Sequence, residues 1–213
     1  FSRYPRTLAA DSRICEREGA NAILAFRKEE MYPAGYSTYV NEEALSGGLC
    51  GASRPGHFRG VTTVVAKLFN LVQPDIAVFG QKDWQQLAIV RRMVRDLNFP
   101  LRIAGVPTVR EADGLALSSR NQYLTPAERA EAPKIHAALG AARRRAKAGE
   151  KRAGILLRQT RRELAKIAGG ELDYLELVDA ETLEPVSRVE RTATLAVAFK
   201  FGGARLIDNV QLK

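Results

Sequence analysis

The sequence has two cysteines and two histidines in 213 residues. Cys15 and Cys50 lie far apart and match no metal-binding or redox spacing, so they read as thiols in a reducing, cytoplasmic setting. With His57 and His136 as the histidines, no His/Cys cluster forms, and no zinc or other metal site is predicted. Long apolar runs are also missing. Ile76–Phe79 and Leu195–Phe199 fall far short of the roughly 20 residues that a membrane-spanning helix needs. The GxxxxGK[ST] phosphate loop, the GxGxxG dinucleotide fingerprint and the GxSxG elbow are all absent. A phosphate-loop kinase, a dehydrogenase and an α/β-hydrolase are therefore disfavoured. There is no internal repeat and no low-complexity segment.

What is present fits a folded chain of one or two domains. Hydrophobic residues make up 46% and charged residues 27%, enough apolar material for a core. The net charge of +9 is concentrated: ten of the cations fall in residues 139–166, against Glu150 and Glu163. One reading of that stretch is a nucleic-acid-binding module built on basic helices. The absence of interleaved aromatics for base stacking favours a solvated helical face instead.

Periodicity predicts a helix over residues 7–18 stopped by Gly19, a short strand at Ala22–Phe26, and loops with short strands from Pro33 to Gly60. A helix over Val61–Val72 would bury Val64, Val65, Leu68 and Val72. Next comes a strand at Ile76–Phe79, expected to be buried on both faces. A helix from Trp84 to Leu97 follows, with Leu87, Val90, Val94 and Leu97 on one stripe, and then a strand at Leu101–Val106. Strand, helix and strand in that order make a βαβ unit of a parallel sheet. Residues 107–124 read as a polar loop, followed by basic helices at 126–148 and 153–168. Three strands, near Tyr174–Val178, Thr194–Phe199 and Arg205–Ile207, complete the chain, the last two joined in an antiparallel hairpin by Gly202-Gly203. The predicted class is α/β: an incomplete Rossmann-like parallel sheet in residues 1–108, then a smaller α+β lid domain with antiparallel strands in 109–213. A hinge near Val106–Arg110 would let the second close over the first.

Two segments have the residues for chemistry on an anion. Gly80-Gln81-Lys82-Asp83 follows a strand and opens a helix, at the sheet edge where ligands of open parallel sheets bind. The helix N-terminus offers free N–H groups, and Lys82 adds a cation there. Asp83 is placed to cap the helix. The alternative is a capped surface turn with a solvated lysine. Leu117-Ser118-Ser119-Arg120-Asn121, after Asp113-Gly114, gathers two hydroxyls and a guanidinium suited to clustered anionic oxygens. The alternative there is a polar linker with a helix cap. Together the two segments would clamp a triphosphate and stabilise charge developing at its α-phosphate.

Several stretches resemble successive motifs of the pantothenate synthetase family, the pantoate–beta-alanine ligases. They are Tyr4-Pro5-Arg6-Thr7, Arg54-Pro55-Gly56-His57-Phe58-Arg59-Gly60-Val61, Gly80-Gln81-Lys82-Asp83-Trp84-Gln85-Gln86-Leu87, Asp113-Gly114-Leu115-Ala116-Leu117-Ser118-Ser119-Arg120-Asn121 and Ala204-Arg205-Leu206-Ile207-Asp208-Asn209. The match runs from Ser2 to the C-terminus in the expected order. The resemblance implies a core similar to class I aminoacyl-tRNA synthetases and nucleotidyltransferases. It implies a dimeric cytoplasmic ligase that uses ATP and Mg2+ to join pantoate to beta-alanine through pantoyl adenylate, with no nucleic acid or membrane partner. Another adenylate-forming ligase or a nucleotidyltransferase with the same clamp is the alternative. By resemblance, Gly80, Gln81, Lys82, Asp83, Val109, Leu117, Ser118, Ser119 and Arg120 would contact ATP. Lys82 and Arg120 would neutralise the phosphates in the transition state. Gln86, Tyr4 and Arg54 would hold pantoate, and His57 would be structural or pocket-lining. Gln81 stands where the family usually has Glu, which is expected to tune the site. The family's HxGH motif, with its assigned proton donor, its first strands and a pantoate-binding glutamine, is expected before Phe1, in a segment of roughly 60 to 80 residues. By itself, this chain is expected to be inactive and prone to associate.

Overall fold

In a computed structural model, which describes residues 7–213, the chain forms two compact units, the first ending at Thr38 and the second spanning Tyr39–Lys213. In the first, helix α1 (Leu8–Arg17) ends where Gly19 takes a φ of 79°, as its sequence predicts. A single-turn helix, α2 (Lys28–Met31), is closed by a capping box between Arg27 and Glu30. The strand expected at Ala22–Phe26 does not form, and Leu24 is 61% exposed. A strand needs a ladder partner, and among the described residues none pairs with this stretch.

The second unit begins with a loop-rich stretch through the short helix α3 (Cys50–Ser53). The backbone runs so close here that a Cβ on Gly51 would sit 1.7 Å from the Ser46 carbonyl oxygen. Helix α4 (His57–Val72) starts four residues before the sequence reading placed it. It buries Phe58, Thr62, Val65, Ala66 and Phe69, while the predicted stripe member Val72 is exposed. Starting earlier, the helix lets Phe58 join the core, while its last three residues, 70–72, are exposed. The Thr62 hydroxyl donates to the Val40 carbonyl and the Thr63 hydroxyl to that of Arg59.

Strand β1 (Ile76–Gly80), helix α5 (Trp84–Asp96) and strand β2 (Arg102–Val106) make the predicted βαβ unit, with β1 and β2 parallel from Ile76↔Arg102 to Gly80↔Val106. Ala77, Phe79 and Ile103 pack on α4 and α5 beside Val65, Phe69 and Met93. The expectation that β1 is buried on both faces is wrong, since Val78 is 63% exposed. Among the described residues, helices cover one face of this two-stranded sheet, so the residues pointing the other way meet solvent. On α5, Leu87 and Val90 are buried as predicted, but Ile89 and Met93 complete the buried face and Leu97 lies outside it.

The predicted helix over 126–148 is two helices, α6 (Pro126–Glu131) and α7 (Pro133–Lys147). Pro133 lacks the N–H that would continue the ladder, so the chain restarts with proline in the first turn. Helix α8 (Ala153–Leu164) follows, then an antiparallel sheet of β3 (Gly170–Asp179), β4 (Ala193–Phe201) and β5 (Ala204–Leu212). The Gly202-Gly203 hairpin forms as predicted, with Phe201 opposite Ala204. These strands run several residues beyond their predicted ends.

The sheet is covered on both faces, and its period-2 alternation sorts the contacts. Leu195, Val197, Phe199 and Phe201 of β4 face a core that includes Leu139 of α7 and Leu156 of α8. Ala196 faces a second cluster with Leu45, Phe58 and Ile89. The same alternation acts on β5. Leu206 and Val210 join the α7–α8 core, and Ile207 joins the opposite cluster. Neighbouring Asp208 and Asn209 therefore point to opposite sides of one strand.

Candidate functional site

The lysine turn takes its form from the βαβ unit. Gly80 ends β1, a 3₁₀ turn spans Gln81–Asp83, and α5 begins at Trp84. Lys82 is half-buried, and its ammonium pKa is held below the ordinary lysine value. Burial is the main cause, Arg120 adds repulsion, and Asp83 and Asp208 oppose the shift. Gln81 Nε2 donates to Gly105 O at 3.4 Å. The turn is tied to β5, where Asn209 Nδ2 donates to Gln81 O and Lys82 O, both at 2.9 Å. Trp84 Nε1 donates to Ala180 O at 3.1 Å and Gln85 is buried, so the first turn of α5 is anchored on two more sides.

The serine–arginine segment is also held by its neighbours. Ser118 Oγ accepts from Arg120 N at 3.2 Å and starts a 3₁₀ turn over Ser119–Tyr123. Asn121 Nδ2 donates to Glu111 Oε1 at 2.8 Å. Arg129 bridges Glu111 and Asp113 at 2.5 and 2.6 Å, which ties the loop to α6. The loop is thus braced by partly exposed ion pairs, and Ser118 lines a pocket.

The two segments meet. Lys82 and Ser118 line one small pocket, of about 10 Å³, with Leu115, Ala116, His136 and Asp208. Arg120 adds to the field on Lys82, Arg54 and His57. Burial lowers the Arg54 guanidinium pKa and Arg120 lowers it further. Burial likewise lowers the His57 imidazole pKa, with Arg54 as the next cause, and Arg54 Nη1 lies 2.9 Å from His57 Nε2. Cations gathered in a partly desolvated site repel one another, and an anion entering it relieves both costs.

The other residues singled out from sequence fall variously. Gly80, Gln81 and Asp83 belong to the lysine turn. Val109 and Leu117 are exposed and joined by a Leu117 N to Val109 O bond of 2.9 Å. Ser119 is exposed on its 3₁₀ turn, and Gln86 is half-buried in the first turn of α5. Tyr4 lies outside the described residues. Sequence reasoning missed Asp208, Asn209, Arg110 and His136 as members of the site. Asp208 is bound by both Arg110 Nη atoms at 2.8 Å and lies 3.3 Å from His136 Nδ1. A signal was there: two adjacent polar residues interrupt the apolar alternation of the last strand.

A parallel βαβ unit with a lysine at the carboxyl end of its first strand, closed by a second, antiparallel sheet, is the architecture of the α/β nucleotidyltransferase-like class. Comparison with known proteins narrows that class. The family model described as "Pantoate-beta-alanine ligase" matches residues 1–211. A pantothenate synthetase of Moorella thermoacetica is 54% identical over 213 residues, covering 100% of this chain and 75% of the relative. One from Geobacter sulfurreducens is 52% identical over 212 residues, with coverage of 100% and 75%. The crystal structure of pantothenate synthetase from Thermus thermophilus superposes with a TM-score of 0.94 at 50% identity, covering 98% of this chain and 75% of that one. A pantoate-beta-alanine ligase from Francisella tularensis, complexed with beta-gamma ATP and beta-alanine, gives a TM-score of 0.75 at 29% identity, with coverage of 97% and 70%. The chain belongs to the pantoate-beta-alanine ligase family.

Proposed function

We propose that this protein condenses pantoate with beta-alanine at the expense of ATP, with pantoyl adenylate as intermediate and AMP and pyrophosphate as products. The observation that carries the reading is the meeting of the two segments: Lys82 and Ser118 line one pocket, and the Arg120 charge acts on both Lys82 and Arg54. In the first step a pantoate carboxylate oxygen attacks the α-phosphorus. The bond to the bridging oxygen breaks, and the electron pair leaves with pyrophosphate. Charge grows on the phosphoryl oxygens as this happens, and fixed cations stabilise it without reorganising. Lys82 and Arg120 are assigned that task. Gly80, Gln81, Asp83, Val109, Leu117, Ser118 and Ser119 are assigned to the rest of the nucleotide, and Gln86, Tyr4 and Arg54 to pantoate. In the second step the beta-alanine amine attacks the acyl carbon, gives up a proton and displaces AMP.

Magnesium enters with the nucleotide as MgATP, part of the substrate. The triphosphate supplies oxygen ligands of the kind magnesium prefers, so the protein needs no dedicated cage of its own. A functional division near residue 108, with residues 109–213 closing over the nucleotide through a hinge at 106–110, would shield the acyl adenylate from water. The protein is further proposed to act in the cytoplasm as a homodimer, which sedimentation velocity tests.

The deciding experiment is exchange of labelled pyrophosphate into ATP by the intact protein. Exchange should require pantoate and should not be triggered by other small carboxylic acids. Lys82→Ala and Arg120→Ala should each lower it by about 10²–10³-fold, the usual cost of removing one fixed donor to developing charge. Exchange driven equally well by an unrelated acid would replace this reading with another adenylate-forming ligase.

A further inference from the structure

Lys82 sits on a turn of three residues between a strand and a helix, and such a turn has little of its own to fix it. Besides the Gln81 side chain's bond to Gly105 O, the atoms that hold its backbone carbonyls come from the far end of the chain. Asn209 Nδ2 reaches two successive carbonyl oxygens, of Gln81 and Lys82, at 2.9 Å each. Both N–H donors of that amide are used, so its orientation is set as well as its position. Asn209 is itself fixed, because it lies within β5, paired with Ala196 of β4. Its own backbone N–H donates to Asp208 Oδ1 at 2.8 Å. Asp208, on the other side of the strand, is clamped by Arg110 and lines the pocket that Lys82 enters. One dipeptide therefore fixes the backbone under Lys82 and presents a carboxylate to the pocket beside it.

We propose that Asn209 is a positioning residue for Lys82, setting where the ammonium meets the phosphates by holding the two carbonyls of its turn. The proposal rests on the reading of Lys82 as a phosphate-neutralising group. A displacement of about 1 Å in such a group costs on the order of 10²-fold in rate. Both amide donors of Asn209 are spent on the turn, so its effect should pass through Lys82.

The test is a double-mutant cycle on pyrophosphate exchange. Asn209→Ala should lower the maximal exchange rate about 10²-fold, with a much smaller change in KM for pantoate. In a Lys82→Ala background, Asn209→Ala should have almost no further effect, because the group it positions is gone. Full additivity, with each substitution costing the same in either background, overturns the proposal. Asn209→Leu, similar in size and without donors, is the second variant should Asn209→Ala fold poorly. An activity-independent readout separates this inference from the functional reading. Limited acetylation followed by mass spectrometry should show Lys82 reacting several-fold faster in the Asn209 variants, with other lysines unchanged. Unchanged Lys82 reactivity refutes positioning even where exchange occurs. Absence of pantoate-dependent exchange in the intact wild-type protein refutes the functional reading and leaves the reactivity result to decide this one.

Discussion

Asp208 keeps a carboxylate at 5% exposure. Burial raises its pKa, but the contacts with His136 and Arg110 outweigh burial and leave it below the ordinary carboxylate value. A carboxyl depressed in the folded state stabilises the fold at pH values above its unfolded pKa. That contribution is lost as pH falls through the folded value. Asp208→Asn should therefore cost about 3 kcal/mol near neutrality, where it leaves the Arg110 charge half-buried without its partner. The gap between wild type and variant should shrink as pH falls below about 4, where free carboxylates titrate. Urea melts from pH 7 to pH 3 check both statements, and parallel curves would show that Asp208 carries no such charge. The polar pair Asp208-Asn209 interrupts the last strand's apolar alternation, but the local sequence does not name the partners of the carboxylate. A buried ion pair is a property of the elements that bring Arg110, His136 and Asp208 together from three separate places in the chain.

At the scale of elements, α5 does two jobs. Its N-terminal end anchors the turn that bears Lys82, and its inner face locks the preceding loop through one side chain. Gln85 Oε1 accepts from Cys50 N at 3.0 Å, and Gln85 Nε2 donates to Leu45 O and Gly48 O at 2.8 Å each. Gln85→Leu keeps the volume but leaves three backbone groups without that partner. Each unsatisfied buried group costs about 1–3 kcal/mol, so a loss of about 3 kcal/mol is expected where water rescues some of them. The urea midpoint measures it. Because the same loop leads into Arg54, pantoate affinity should weaken in this variant as well, and an unchanged midpoint would remove Gln85 as the staple. The existence and type of α5, β1, β2 and the last hairpin could be read from periodicity and turn residues. Their buried faces could not be read as fully. The stripe chosen on α4 included exposed Val72 and omitted Phe58 and Phe69, because a row of apolar residues does not say which side a neighbour will cover.

For the whole molecule, the question left by composition is the basic stretch 139–166. Helix α8 buries Ala153, Leu156, Thr160 and Leu164, and presents Arg158, Arg161 and Arg162 to solvent. Alternating burial of this kind belongs to a packed helix with a solvated outer face. The triple variant Arg158→Glu, Arg161→Glu, Arg162→Glu should leave pantoate-dependent exchange within about twofold of wild type, as surface substitutions away from a site usually do. A severalfold loss of exchange, or salt-sensitive nucleic-acid binding abolished by the reversal, would give that face a role.

The residues by themselves determined the α/β class, the βαβ unit and the two loops with anion-binding chemistry, because propensity, turn chemistry and side-chain type are local properties. Only the tertiary structure decided that Lys82 and Ser118 share a pocket, that Arg54 and His57 join their field, and that Asn209 holds the lysine turn from more than a hundred residues away in the chain. Such contacts depend on how strands register and which faces helices cover. Those choices are made by packing the whole chain at once, and no local window of sequence contains them.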